Sequence, residues 1–250
     1  MAELAKCRYV SSRHMIISLE YHGKKYQADL AKPLHISIPL SNGVENQPNA
    51  FGAPPYEATP LKAGDFVGAV DQGSPVNFFN VRINPHGNGT HTETLGHITS
   101  IEEAVHVKLK STHCVAEIIS VLPTKQQNGD RSIEENILKN MVAHESDALI
   151  VRTRPNDSDK MTRKYTGTNP PYFTEDSMRW IDDRDFTHLL TDLPSVDKEV
   201  DGGALVSHKV FWNIESEKKD HRTITEMIYV DNDIKDGLYL LDLQLSLIHI

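Results

Sequence analysis

Apolar and polar residues alternate along much of this chain, the mark of strands with two unlike faces. His14–Tyr21 (HMIISLEY) and Lys25–Leu30 (KYQADL) alternate on either side of His22-Gly23-Lys24, which predicts a hairpin. Leu34–Leu40 (LHISIPL) predicts a further strand. Ser41–Leu61, rich in Asn, Pro and Gly, predicts a long surface loop of the kind that often carries function. Strands are expected at Val76–Ile83, Val105–Leu109, Val115–Val121 and Ala148–Thr153. The last, ALIVRT, is continuously apolar at its start, as in a strand covered on both faces.

Helical spacing is rarer. Ser132–Ala143 places Ile133, Ile137, Leu138 and Met141 on one face, with Ser132 and Glu135 at capping-box spacing. A second helix is expected after Thr174, with Glu175 and Asp176 favoured in its first turn by the helix dipole. A third is expected from about Gly203 to Trp212, followed by strands at Thr223–Val230 and Leu238–Ile248. No repeat or break in composition divides the chain, so one α/β (α+β) domain over residues 1–250 is expected, richer in strand than helix.

Charge narrows the partners. Twenty-six basic against 35 acidic residues give a net charge of −9, which argues against nucleic acid or an anionic membrane surface. No apolar run approaches the ~20 residues of a bilayer span, and the opening residues hold no secretory core. Two cysteines, Cys7 and Cys114, allow one bridge at most and fit reduced thiols in the cytoplasm. The phosphate loop, the nucleophile elbow, the zincin helix and Cys-x-x-Cys are all absent. Ser195, between Asp192 and Asp197, has no strained nucleophile turn around it. Trp180 and Trp212 read as core, Phe78 and Phe79 as one inward and one outward ring, and Arg152 as a salt-bridge partner.

The chemistry concentrates in Asn84–Ile98, NPHGNGTHTETLGHI, where His86, His91, Glu93 and His97 fall among three glycines. Residues two apart in an extended chain share a side, so His91 and Glu93 converge, and an imidazole with a carboxylate begins a divalent-cation site. A surface loop whose histidines cluster gives the same pattern. Glu226 is the one acid among mostly apolar neighbours in the strand TITEMIYV, and a buried carboxylate is costly unless paired or bound to a cation. His208 shares a helical side with Leu205 and Trp212, which fits a satisfied core histidine or a ligand equally.

Gly89-Thr90-His91-Thr92-Glu93, followed by His97, resembles the H-x-G-T-H-x-D-x-x-x-H signature of the cyclase / kynurenine-formamidase-like metal-dependent hydrolases. Leu34–Leu40 resembles the family's early D-L-S-x-P-L strand, and Thr191–Asp197 its D-x-x-S-x-D stretch. His208 and Glu226 resemble its later ligand histidine and glutamate. Two positions depart from the pattern: Glu93 replaces an aspartate, and the family's first histidine falls on Gly87, beside His86.

The resemblance implies a swivelling β/β/α fold and hydrolysis of a C–N amide bond in a small molecule, by metal-activated water attacking the carbonyl. It implies His91, Glu93, His208 and Glu226 as metal ligands and an oligomer, dimer or tetramer. His97 is assigned proton transfer, because imidazole titrates near neutral pH and Gly96 lets it approach from a second side. With Gly87 in place of a histidine, one divalent ion per chain is expected, zinc or manganese. The competing expectation is a catalytically weakened member that binds a small molecule or a protein.

Overall fold

The computed structural model describes residues 14–100, 104–216, 219 and 221–246. The chain divides into two compact units at His35/Ile36. In the first, β1 (Ile16–Tyr21) and β2 (Lys24–Asp29) form the expected hairpin, paired from Ile16↔Asp29 to Tyr21↔Lys24. His22 and Gly23 turn it at φ 47° and 72°, the left-handed pair that matches strand twist.

The second unit opens with short strands: β3 (Glu57–Pro60), β4 (Lys62–Ala63), β5 (Phe66–Val67) and β6 (Phe79–Arg82), with β3 pairing β6 and β4 pairing β5. One helical turn, α1 (Pro85–Asn88), leads to β7 (His91–Glu93), and a second, α2 (Val105–Lys108), to β8 (His113–Val121). Small strands β9 (Thr124–Lys125) and β10 (Arg131–Ile133) precede α3 (Glu135–Met141) and β11 (Ala148–Thr153). β12 (Tyr172–Phe173) and α4 (Glu175–Asp183) lead to β13 (His188–Thr191), then α5 (Val206–Phe211), β14 (Thr223–Glu226) and β15 (Gly237–Asp242).

The central sheet has the order β15-β8-β11-β13-β14-β7. Its four middle strands are parallel and its two edge strands antiparallel. Helices α3, α4 and α5 make the crossovers between the parallel strands, as parallel pairing requires. Side-chain alternation divides the core. Leu149 and Val151 of β11 join Leu138, Met178, Ile181 and Phe211 of the helices, whereas Ala148 and Ile150 join Ile228, Val230 and Leu241. The architecture is thus the mixed α/β type expected, with helices on one face of the sheet. Among the described residues no helix is long and apolar enough to cross a membrane.

Several elements differ from the periodic reading. Residues 36–40 make only the isolated bridge Ser37↔Ile228, because Ile38 N–H donates to the Thr90 hydroxyl and not to a strand. Val105–Lys108 is one helical turn, since alternation over four residues fits either period and no strand pairs with it. Ser132 belongs to β10, opposite Tyr172 and Thr124, so the capping box does not form and the helix begins after Glu134. Ser41–Leu61 contains β3, and both Phe78 and Phe79 are exposed. The third helix is shorter than expected and begins at Val206. β14 stops at Glu226 because Met227 takes φ 54°, and β15 stops at Asp242. The strand expected at its end reaches residues 247 and 248, which lie outside the described residues. The second helix begins after Thr174 as expected, and the Thr174 hydroxyl caps it by accepting from Ser177 N–H.

His188 sits buried at the start of β13, with Nδ1 2.8 Å from the Thr223 hydroxyl. Burial pushes its imidazole down to about 4 against the pull of Asp147. The unfolded chain therefore binds this proton first on acidification. The stability that neutral His188 contributes is complete above about pH 6.5 and is lost as pH falls toward 4. His188→Gln is expected to narrow the drop in urea-unfolding stability between pH 7 and 4.5 by on the order of 2 kcal/mol; an equal drop in both proteins would refute this.

Candidate metal centre

The site is built at the carboxyl end of β14, where open α/β sheets gather their ligands. The antiparallel register of β7 on β14 sets His91 opposite Glu226 and Glu93 opposite Ile224. Thr92 and Thr225 join hydroxyls at 2.9 Å across the pair. Thr90 locks the strand ends by donating its hydroxyl to Met227 C=O at 2.6 Å. Met227 is buried in the left-handed region, costly for an L side chain, and its N–H donates to Leu193 C=O. This kink ends the strand immediately after the carboxylate. Glu226 Oε1 then accepts from Val196 N–H at 2.8 Å.

Glu93 is the hub. Its Oε1 lies 2.7 Å from His86 Nδ1, 3.2 Å from His91 Nε2 and 3.5 Å from His97 Nε2, and its Oε2 lies 3.3 Å from His208 Nε2. Glu226 Oε2 is 3.5 Å from the same His91 nitrogen, and Glu226 Oε1 is 3.9 Å from His208 Nε2. His91 donates Nδ1–H to Gly89 C=O, which turns Nε2 toward the two carboxylates. His208, on α5, is oriented by Asp197: Nδ1–H donates to Oδ2 at 2.5 Å, and Asp197 also accepts the Ser207 and His208 backbone N–H groups. His97 is partly exposed and stacks on His86 at 4.3 Å between ring centroids.

These contacts set the proton affinities. Burial disfavours the His91 imidazolium, but Glu226 and Glu93 outweigh it and lift the group to about 10. His208 likewise reaches about 10, with burial overcome by Asp197 and Glu93. Burial alone would raise Glu93, yet His208, His86 and His91 hold it well below the ordinary carboxylate range. Glu226 is raised by burial and by the neighbouring Glu93. Burial pushes His97 down to about 4, so its ring is neutral at pH 7.

The five residues given roles from the sequence, His91, Glu93, His97, His208 and Glu226, meet in this cluster. Among the described residues two donor sets arise, His91–Glu93–Glu226 and His86–Glu93–His97, each with donor atoms within 4.8 Å of one another. Imidazole nitrogens and carboxylate oxygens are ordinary ligands of divalent metal ions, and two buried carboxylates side by side call for positive charge between them. The donor set fits a divalent ion.

The sequence left open whether His86 reaches the site, and it set Asp197 only in the D-x-x-S-x-D stretch, with no role toward His208. His86 enters because α1 coils the chain after Asn84, whose side chain accepts Gly87 N–H. Asp197 is eleven residues before its histidine, a spacing with no local meaning. Asp192 is taken up by Lys160 and Thr153 instead, Ser195 accepts from Asp197 N–H, and Arg152 is engaged by Ser120, Asp236 and two backbone carbonyls. Trp212 is fully buried, with its Nε1–H on Arg222 C=O.

Residues 28–198 match the model of the family described as "Putative cyclase". A structure described as a potential metal-dependent hydrolase with cyclase activity aligns over 82% of this chain and 86% of its own, at 14% identity and TM-score 0.56. The predicted metal-dependent hydrolase from Bacillus stearothermophilus aligns over 91% and 88%, at 13% identity and TM-score 0.56. Isatin hydrolase A from Labrenzia aggregata aligns over 93% and 88%, at 13% identity and TM-score 0.51. At these identities the likeness is one of fold. No curated protein sequence matches the chain.

Gly87 has a steric reason for replacing a histidine. A Cβ there would stand 2.3 Å from Ala53 Cβ and 3.0 Å from Ala50 C=O, so no side chain fits without moving the 50–53 turn. Gly87→Ala is expected to destabilise the fold by about 1–3 kcal/mol, the usual cost of overpacking, read as a lower urea midpoint. An unchanged midpoint would show that the turn yields freely.

Proposed function

The chain belongs to the cyclase family, and on that premise we propose that it is a metal-dependent hydrolase of C–N amide bonds in a small molecule, of arylformamidase or cyclic-amide type. The observation that carries this reading is the convergence of four imidazoles on two buried carboxylates at the end of β14. The naming of related folds as metal-dependent hydrolases, one of them an isatin hydrolase, supports it.

His91, Glu93, Glu226 and His208 would hold the ion. When bound, a divalent cation supplies Lewis acidity, making a water nucleophile available near neutral pH and stabilising charge on a carbonyl oxygen. Asp197 fixes the His208 tautomer so that Nε2 faces the donors, as partners of ligating histidines do. His97 presents a neutral Nε2 at the exposed side of Glu93. There it takes a proton from the attacking water and returns one to the departing nitrogen as the C–N bond breaks.

One ion per chain, zinc or manganese, is the expected content. A second reading, with another ion on His86, Glu93 and His97, is favoured by the 2.7 Å approach of His86 to Glu93. Elemental analysis separates them: one equivalent is expected, lost in His91→Ala together with amidase activity. The Trp212 emission should change on chelation, because its ring lies 5.6 Å from that of His208. Two equivalents, one of them lost in His86→Ala, would establish the second reading; full occupancy in His91→Ala would overturn both. Stoichiometric metal without turnover on any amide would point to a binding module.

His97→Ala is expected to keep its metal and to lose about 10²-fold or more in kcat. Unchanged turnover would remove His97 from proton transfer, and loss of an equivalent of metal would make it a ligand.

A further inference from the structure

The segment that leaves β13 touches both of the donors that come late in the chain. Leu193 C=O accepts from Met227 N–H, next to Glu226, and Val196 N–H donates to Glu226 Oε1. Asp197 accepts from the ring and the backbone N–H of His208. This segment therefore sets where Glu226 and His208 stand, although it belongs to neither donor set. Its far end is bound into the fold: Val196 C=O accepts from Phe173 N–H, and Ser195 Oγ from Asp197 N–H. Its near end is fixed by a buried ion pair.

Asp192, the first residue after β13, has no side-chain exposure, and Lys160 has 4%. Lys160 Nζ lies 2.7 Å from Asp192 Oδ2 and is also within reach of Thr153 C=O, Thr153 Oγ1 and Asn156 Oδ1. Asp192 accepts Thr153 N–H on Oδ2 and the Thr153 hydroxyl on Oδ1. Thr153 ends β11, the parallel neighbour of β13, and Lys160 belongs to the single turn Ser158–Met161. Both carboxylate oxygens are thus bonded to a strand end and a turn, which fixes the direction of the chain as it leaves the sheet.

A pair of this kind is a weak source of stability. Burial pulls the Lys160 ammonium below its ordinary range and pushes the Asp192 carboxyl above its own, against the attraction between them. Desolvation offsets most of that attraction, and apolar replacements of similar volume are often neutral or stabilising. Apolar side chains, however, make no directional bonds. What the charged pair supplies and a packed pair cannot is the angle at which Leu193 begins, five residues before Asp197.

We propose that Lys160 and Asp192 are positioning residues of the donor cluster, clamping the start of the 192–197 segment to β11 so that Glu226 and His208 are held for a divalent ion. The ion comes from the hydrolase reading, on which the proposal rests, but the orientation of His208 is measurable without one. The test compares the wild-type full chain with Thr153→Val, Thr153→Ser and the double variant Lys160→Met/Asp192→Leu. Thr153→Val deletes the hydroxyl between the two charges at nearly constant volume, and Thr153→Ser keeps it. The double variant removes both charges at once, so neither is left buried alone.

Four quantities are measured: the Co²⁺ dissociation constant by competition with a fluorescent chelator, the visible absorption of bound Co²⁺, the low-field proton signal of His208 Nδ1–H in metal-free protein, and the urea midpoint. The double variant should bind Co²⁺ about 10–100-fold more weakly, the usual effect of losing an outer partner of a metal site, with an altered visible band. Thr153→Val should move in the same direction by less, and Thr153→Ser should stay close to wild type. The His208 signal should shift or broaden in the double variant and Thr153→Val, and persist in Thr153→Ser.

Folded variants that match wild type in affinity, band and signal overturn the proposal, whether or not the urea midpoint falls, because the pair would then be structural only. If the double variant does not fold, Thr153→Val against Thr153→Ser decides on the same readouts. If wild type takes up no Co²⁺, the metal reading fails and the His208 signal decides alone. A signal perturbed in Thr153→Val and kept in Thr153→Ser supports the clamp; one equal in all the proteins, or absent from wild type, overturns it.

Discussion

Two carboxylates, Glu93 and Glu226, are buried on adjacent antiparallel strands, and the rest of the site exists to make that tolerable. Unpaired, each would be strongly disfavoured, since desolvating an ionised acid costs more than a fold can supply from packing. Their neighbours answer the charge from four directions: His91 from the same strand, His86 from the turn before it, His97 from the turn after it and His208 from a crossover helix. Anionic oxygen surrounded by imidazoles is a donor set that could hold a divalent cation.

Backbone devices hold those groups at working distance. Thr90 ties the entry of β7 to Met227, and Met227 accepts a left-handed conformation so that the chain turns away immediately after Glu226. Gly87 lets α1 lie against the 50–53 turn, which brings His86 to Glu93. A change at Gly87 should therefore be felt at His86 and Glu93, which is how strain at a functional site is offset by the surrounding scaffold.

Chain-local chemistry made part of this readable in advance. The continuous apolar run at Ala148–Thr153 marked the central strand, and Thr174 marked a helix start, because burial on two faces and side-chain capping both leave local patterns. His91 and Glu93 were legible because a two-residue spacing in an extended segment has one geometric meaning. Short segments misled: Val105–Lys108 alternates as a strand does yet coils, and Ser132 has capping spacing yet pairs in β10. In each case neighbours supplied or withheld by the fold outweighed a weak local preference.

By itself, then, the sequence determined an acidic chain with a mixed α/β sheet, a histidine-carboxylate segment, and a lone acid at Glu226 in an apolar strand. Only the tertiary structure decided that Glu226 faces His91 across a strand pair, that Asp197 holds His208, and that His86 is a member of the cluster. The physical reason is the range of the forces involved. Periodicity and capping act within a few residues, whereas a buried charge is satisfied by whatever the fold brings within about 3 Å, however far away along the chain.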